Sequence, residues 1–346
     1  RDEYHGYAST GLAVMQPDGS CITVIGMNFG GDAEPIAGQD GRILFTRLEV
    51  IYSRVKTEWN LLSVLPDGTQ PLTLYGPESR EFWRRRYCVE ASAPPRHRVL
   101  TFSQPQQMPD GRILLNSFDG PFIAGPRKSE QTLLFPDARY ALTTPYPLDN
   151  QTLLVAAGER PLVKDKKGRP VRDRVAPVDH GLYRLELACQ ALSLVYNDPA
   201  TAEFEARPLV TRRRPPVLPE QVADRSSFTA RLDCQSVFRS RDPLVGARAR
   251  YLRVVEGLPV VARHQTHTDE GISWKNHGGA VARMLGVVPL APDGSFSVEV
   301  PADRLIHVQA LDSDWQILSD QLIWMQLRPG ENRGCMGCHE EADASP

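Results

Sequence analysis

Short apolar runs separated by polar turns dominate the first 210 residues, and the turns repeat. Pro17-Asp18-Gly19, Gln39-Asp40-Gly41, Pro66-Asp67-Gly68 and Pro109-Asp110-Gly111 each adjoin runs of strand length. Examples are Leu12-Ala13-Val14-Met15, Arg42-Ile43-Leu44-Phe45, Leu61-Leu62-Ser63-Val64 and Arg112-Ile113-Leu114-Leu115. Asp-Gly favours a hairpin because glycine takes a positive φ without a Cβ clash, while aspartate hydrogen-bonds its own backbone. Long helical periodicity is nearly absent, because proline and glycine interrupt too often. The three Pro-Asp-Gly marks stand 49 and 43 residues apart. Four-stranded propeller blades take about 40–45 residues. The pattern predicts an all-β chain whose residues 1–210 form a β-propeller with TolB or WD40-like blades. A sandwich or an irregular stack of hairpins is the competing arrangement. Later strands at 152–157 and 181–196 lack the mark and leave the blade number open.

The run 207–219 is proline-rich, which holds it extended and helix-free. It places a linker at 211–225. Residues 226–346 then read as a small β-sandwich-like domain, with strands at 250–255, 287–290, 295–300, 305–311 and 321–327. The segment 328–334 contains Pro329, Gly330 and Gly334 and reads as a loop.

That loop leads into Cys335-Met336-Gly337-Cys338-His339. C-x-x-C-H is the attachment pattern of a c-type haem. Two thiols three apart reach the two vinyl groups on one porphyrin edge, and the following imidazole serves the iron. A zinc site would need a second ligand pair close by, and none follows His339. The expectation is one covalent haem c on a C-terminal loop, bound by Cys335 and Cys338, with His339 as proximal iron ligand. The sixth ligand separates electron transfer from catalysis, because a filled site closes the iron and a vacant one admits substrate. His277 precedes Gly278-Gly279, which lets a porphyrin approach the backbone, and is the first distal candidate. His307, between Ile306 and Val308 on a strand, is the second. His264 and His267 share the polar loop with His277 but have no helix to align them as a metal pair. Met325, next to Trp324, reads as core, and Met336 lies inside the motif turn. Glu331, Arg333, Glu340 and Glu341 read as solvated charges or neighbours of the propionates.

Composition narrows the setting. The net charge of −2 gives no long-range field for nucleic acid. Arg84-Arg85-Arg86 and Arg212-Arg213-Arg214 read as solvated or carboxylate-paired faces. No run of about 18 apolar residues predicts a transmembrane segment. Because c-type haem is attached outside the cytoplasm, a periplasmic or extracellular location is expected, with Arg1 the start of a processed or truncated chain. Such a compartment permits disulfides among Cys21, Cys88, Cys189 and Cys234, whose pairing stays open. Any of the four can equally be a small buried apolar residue.

Further blocks carry a resemblance. They are Gly31-Asp32-Ala33-Glu34-Pro35, Asp40-Gly41-Arg42-Ile43-Leu44-Phe45-Thr46-Arg47, Thr144-Pro145-Tyr146-Pro147-Leu148, Gly181-Leu182-Tyr183, Arg207-Pro208-Leu209 and Arg214-Pro215-Pro216-Val217. A longer set follows: Leu285-Gly286-Val287-Val288-Pro289, Pro292-Asp293-Gly294-Ser295-Phe296, Val300-Pro301-Ala302-Asp303, Gln309-Ala310-Leu311-Asp312, and Pro329-Gly330-Glu331 before the cysteine motif. Over roughly residues 10–341 the chain resembles the hydrazine synthase alpha-subunit family. The resemblance implies an N-terminal propeller, a β-rich middle domain with a c-type haem, and a secreted or periplasmic setting. In hydrazine synthase it further implies a catalytic haem that joins ammonia to a hydroxylamine-level nitrogen species. There the motif histidine goes to a zinc ion, and a tyrosine four residues on takes the iron. In this sequence that position is Asp343. Many relatives carry histidines after the strand matching 99–102, where this chain has Ser103-Gln104-Pro105-Gln106-Gln107. A third domain with a further haem is not part of the sequence to Pro346.

The leading functional expectation is a c-type cytochrome that passes electrons to a redox partner protein, another cytochrome, with the propeller as docking or assembly scaffold. One alternative is a hydrazine synthase-like haem enzyme acting on a small nitrogen compound or peroxide. The other is a structural subunit of a multihaem assembly, within an oligomer or multi-subunit complex.

Overall fold

The computed structural model describes residues 10–28, 30–50, 57–76, 102–125, 131–173, 176–222, 224–240, 242–258, 281–321 and 324–338. The chain is all-β, with one six-residue helix, Pro243–Arg248, among the described residues. At the Asp-Gly turns at 18, 40, 67, 110 and 293 the glycine φ lies between 80° and 91°. Its N–H donates to the carbonyl three residues back. The aspartate Oδ1 accepts the N–H two residues on, as at Asp18, Asp40, Asp67, Asp110 and Asp293.

These turns build four-stranded antiparallel blades. The first comprises Asp32–Ala37, Ile43–Val50, Thr57–Val64 and Leu72–Tyr75. The second comprises Phe102–Gln107, Ile113–Ser117, Gly120–Ala124 and Gln131–Leu133. The third comprises Tyr140–Pro147, Thr152–Glu159, Gly181–Glu186 and Ala191–Tyr196, with a hairpin (Leu162–Lys164, Pro170–Arg172) inserted before its third strand. Alternation along each strand gives every blade two apolar faces, and the faces stack in chain order. The hairpin Leu12–Val14/Thr23–Gly26 sets Leu12 and Ile25 on Phe45, Leu62 and Val64 of the first blade. The other face of that blade, with Leu61 and Tyr75, meets Leu115 and Phe122 of the second. Met108, Leu114 and Ile123 of the second then meet Leu142, Leu153, Val155 and Leu185 of the third.

The Pro-Asp-Gly marks do not count blades, contrary to the sequence expectation. The turn at 66 joins the third and fourth strands of the first blade, whereas the turn at 109 joins the first and second strands of the next. In an up-and-down sheet those two turns fall at the same end. The mark therefore labels one rim of the propeller.

A second repeat lies on the first strand of each blade. Glu34-Pro35, Gln104-Pro105 and Thr144-Pro145 each occupy a break in strand register. Glu34, Gln104 and Thr144 have φ of 54°, 56° and 47°. Proline offers no N–H to the ladder and bars the residue before it from the right-handed helical region. A left-handed non-glycine residue costs on the order of 1 kcal/mol, and side chains from the neighbouring blade hold it there. The Gln104 N–H donates to Glu34 Oε2 (2.6 Å) and the Thr144 N–H to Gln104 Oε1 (2.8 Å). Glu205, itself at φ 53°, takes the fourth place by donating its N–H to Thr144 Oγ1 (3.2 Å).

Burial pushes the Glu34 carboxyl above the ordinary carboxylate range, and the Glu205 charge adds to the rise; the Gln104 N–H and Thr46 hydroxyl oppose it. An acid raised in the fold is destabilising only where it ionises. Its cost is absent below the ordinary value of 4.5 and grows as pH rises from there through the folded value. Glu34→Gln is expected to raise the urea midpoint at pH 7, with the gain over wild type shrinking toward pH 4. Equal gains at both pH values would exclude the titration.

The described residues 202–222 form neither helix nor strand. This connector crosses the turns of the first blade. The Gln221 and Val222 N–H groups both donate to Asp67 Oδ2 (2.5 and 3.1 Å). A Cβ on Gly41 would collide with the Pro216 carbonyl, so that turn needs glycine for space as well as for φ. Arg212-Arg213-Arg214 is exposed, and Arg207 and Arg212 both stand over the Tyr146 ring, at 5.3 and 5.4 Å.

Beyond the connector two sheets pack face to face. One has the order Phe296–Pro301, Thr229–Cys234, Asn332–Cys335. The other has Val281–Pro289, Tyr251–Leu258, Leu305–Leu311, Ile317–Asp320, with Met325–Gln326 also on Leu305–Leu311. Ala230, Leu232, Leu252, Val254, Val300, Ile306 and Leu327 form their shared core. Of the strand expected at 321–327, the described residues show Met325–Gln326. The helix was not anticipated, although its signal is present: Asp242 caps it by accepting the Leu244 N–H (2.9 Å), and Pro243 opens it.

Candidate functional site

Cys335 closes a strand. Asn332–Cys335 pairs in parallel with Thr229–Cys234, in a register that sets Cys335 beside Cys234. The expected loop at 328–334 is thus half strand. Phe296–Pro301 occupies one edge of Thr229–Cys234, and the C-terminal segment satisfies the N–H and C=O groups of the other.

Past Cys335 the chain turns beneath residues 235–239. The Gln235 N–H donates to the Cys335 carbonyl (2.9 Å), the Ser236 N–H to the Met336 carbonyl (3.3 Å), and the Cys338 N–H to the Arg239 carbonyl (2.9 Å). A Cβ on Gly337 would collide with that same Arg239 oxygen, so only glycine fits at 337. Cys335 and Cys338 pack against a cluster of Cys234, Val237, Val245, Ala249 and Ala310, to which the short helix contributes Val245. Cys338 Sγ lies 3.7 Å from Ser319 Oγ. Burial pushes the Cys338 thiol above its ordinary range; the Ser319 hydroxyl opposes the rise and the Asp320 charge adds to it.

The approach to the motif is bolted to the propeller. Arg328 is 9% exposed. Its Nε donates to the Asp67 carbonyl (3.1 Å), its Nη1 to Asp303 Oδ1 (2.6 Å), and its N–H to Glu331 Oε2 (2.7 Å). Glu331 and Arg333 do not match the expectation of solvated charges. Glu331 is 6% exposed and holds Arg333 at 2.9 and 2.7 Å, because the strand pairing draws both under the sheet edge. Arg328 and Ser319 carry no motif and were not singled out in the sequence.

The other predicted ligands separate. His307 is 3% exposed, stacked on Trp324 (centroids 4.4 Å apart), with Nε2 3.7 Å from Asp320 Oδ1. Burial depresses its pKa, and the Asp320 charge works against that. Its register neighbours place it on the far face of the sheet from Ala310 and Ser319, which face the cysteines. The structure therefore does not bring His307 and the cysteine pair together. Met325 packs on the shared core and Trp324 on the other face, as expected of core residues. His339, His277, His264, His267, His5, His97, Glu340, Glu341, Asp343, Cys88 and Arg84-Arg85-Arg86 lie outside the described residues. Cys21 and Cys189 are exposed thiols. No helix among the described residues is long and apolar enough to cross a membrane.

The donor set fits thioether attachment: two cysteines three apart on a turn fixed by three backbone hydrogen bonds, beside an apolar cluster, with a histidine next in sequence. Comparisons with known proteins show similarity to one family. A family described as the hydrazine synthase alpha subunit middle domain matches residues 247–340. Over 92% of its length the chain is 22% identical to hydrazine synthase subunit alpha of Kuenenia stuttgartiensis, covering 42% of that protein. Its fold matches the structure of Kuenenia stuttgartiensis hydrazine synthase with a TM-score of 0.72 at 18% identity, over 95% of this chain and 46% of the other. The chain thus spans less than half the length of these relatives.

Proposed function

From a chain that is hydrazine synthase alpha-like in sequence and in fold, we propose a redox subunit that carries one c-type haem on Cys335 and Cys338. It works outside the cytoplasm, passing electrons to a partner protein within a larger complex. His339 is the proximal ligand in this reading, and His277 the first candidate for the distal side. A bound haem supplies one-electron chemistry at a potential set by its axial ligands and burial. The chain's own residues supply position. Gly337 seats the turn on Arg239, the Arg328–Asp67 bond ties that turn to the propeller rim, and Val245 and Ala249 line the apolar side. The observation that carries the reading is the placement of both cysteines of the motif on one fixed turn against a shared apolar cluster.

The match to a hydrazine synthase favours a second reading, catalysis on a small nitrogen compound at an open iron site. A reduced spectrum with added carbon monoxide separates the two. Electron transfer through a closed centre predicts no shift of the visible bands in native protein. Rapid formation of a carbonyl spectrum without unfolding would replace it with the enzyme.

A further inference from the structure

Three sulfurs meet at the attachment turn, and the haem motif uses two. Cys234 and Cys335 are register partners in adjacent parallel strands, and both belong to one apolar cluster. Register partners in a sheet project to the same face, and neighbouring strands lie about 4.8 Å apart. That falls within the Cα separation of about 4.4–6.8 Å that a disulfide spans. Cys338 points elsewhere: its N–H is held by the Arg239 carbonyl and its sulfur lies beside Ser319 on the facing sheet.

We propose that Cys234 forms a disulfide with Cys335 in the chain before porphyrin attachment, making it a third member of the attachment site. The consequence for attachment rests on the haem reading above; the bond itself does not. An extracytoplasmic protein disulfide is the oxidant. Exchange breaks two S–H bonds, forms the Cys234–Cys335 bond, and leaves the donor as two thiols, with both protons accounted for there. A thiol adds its S–H across a vinyl double bond with no net electron transfer, so Cys335 must first be returned to the thiol by a dithiol reductant, which is itself oxidised to a disulfide. Cys338 keeps its thiol throughout. All three cysteines are thiols in this structure, so the bond belongs to an oxidised form of the chain and is opened again by thiol–disulfide exchange. It therefore protects Cys335 reversibly, leaving attachment under the control of a reductant.

The test uses the full chain exported in a host lacking haem attachment, quenched in acid and alkylated under denaturing conditions. Trypsin releases 232–239 with Cys234, and cleavage at Met336 separates Cys335 from Cys338. The expected result is a linked pair containing Cys234 and Cys335, with Cys338 alkylated. The link should persist in Cys338→Ala and be absent from Cys234→Ala, in which Cys335 should be alkylated. A Cys335–Cys338 link in wild type, or alkylation of all three, overturns the proposal. In natively produced protein, absence of added porphyrin mass with the Cys234–Cys335 link intact would remove the haem reading and leave a structural disulfide.

Discussion

Natively produced protein in which Cys335 and Cys338 are both changed to alanine is expected to lose covalent haem completely. The mass added by one porphyrin should be present in wild type and absent from the double variant, and haem should extract from the variant in acidified organic solvent. Each single variant retains one thioether, so it should keep the mass while shifting its reduced absorption bands. Both sulfurs sit at the end of a hydrogen-bonded turn against an apolar cluster, so their loss removes the bond to porphyrin while the backbone restraints at 235, 236 and 338 persist. A wild-type mass equal to the bare polypeptide would end the haem assignment, and with it the redox function.

The second large effect is expected at Arg328, through stability and the join between the two units. Arg328→Met leaves the Asp67 carbonyl without its donor and Asp303 Oδ1 with the Gln326 amide but no guanidinium. An unmet buried acceptor costs about 1–3 kcal/mol. Asp303 is partly exposed and recovers water, so the loss is expected near 2 kcal/mol, read from urea unfolding. Arg112→Met is the control. Its guanidinium pairs with Asp110 at the surface, where such pairs contribute about 0–1 kcal/mol. Equal effects in the two variants would show that the Arg328 contacts do not join the units. A lower haem occupancy in Arg328→Met would follow from the same geometry, because residues 328–335 run directly from this bond to Cys335.

Much of the architecture was legible because its causes are local. Asp-Gly at 18, 40, 67, 110 and 293 makes a turn wherever it stands, since the positive φ and the aspartate's own hydrogen bond belong to two adjacent residues. The mistaken blade period came from the same strength. The turn signal is identical between the first two strands and the last two, so the sequence reports a turn without reporting which one. The bulges at Glu34, Gln104 and Thr144 were invisible as a set, because the link between them is tertiary: the Glu34 side chain holds Gln104, the Gln104 side chain holds Thr144, and the Thr144 side chain holds Glu205. The segment 328–334 reads as a loop from Pro329, Gly330 and Gly334, whereas Asn332–Cys335 forms a strand because a distant strand offers it an edge.

The chain by itself determined the all-β class, the turn positions and the haem motif, each of which depends on residues within a few positions of one another. Only the tertiary structure decided that Cys234 stands beside Cys335, that His307 faces away from both cysteines, and that Glu331 is buried. Those outcomes depend on which strand supplies the next edge and which face meets the core, choices made by packing between segments about 100 residues apart in sequence for Cys234 and Cys335.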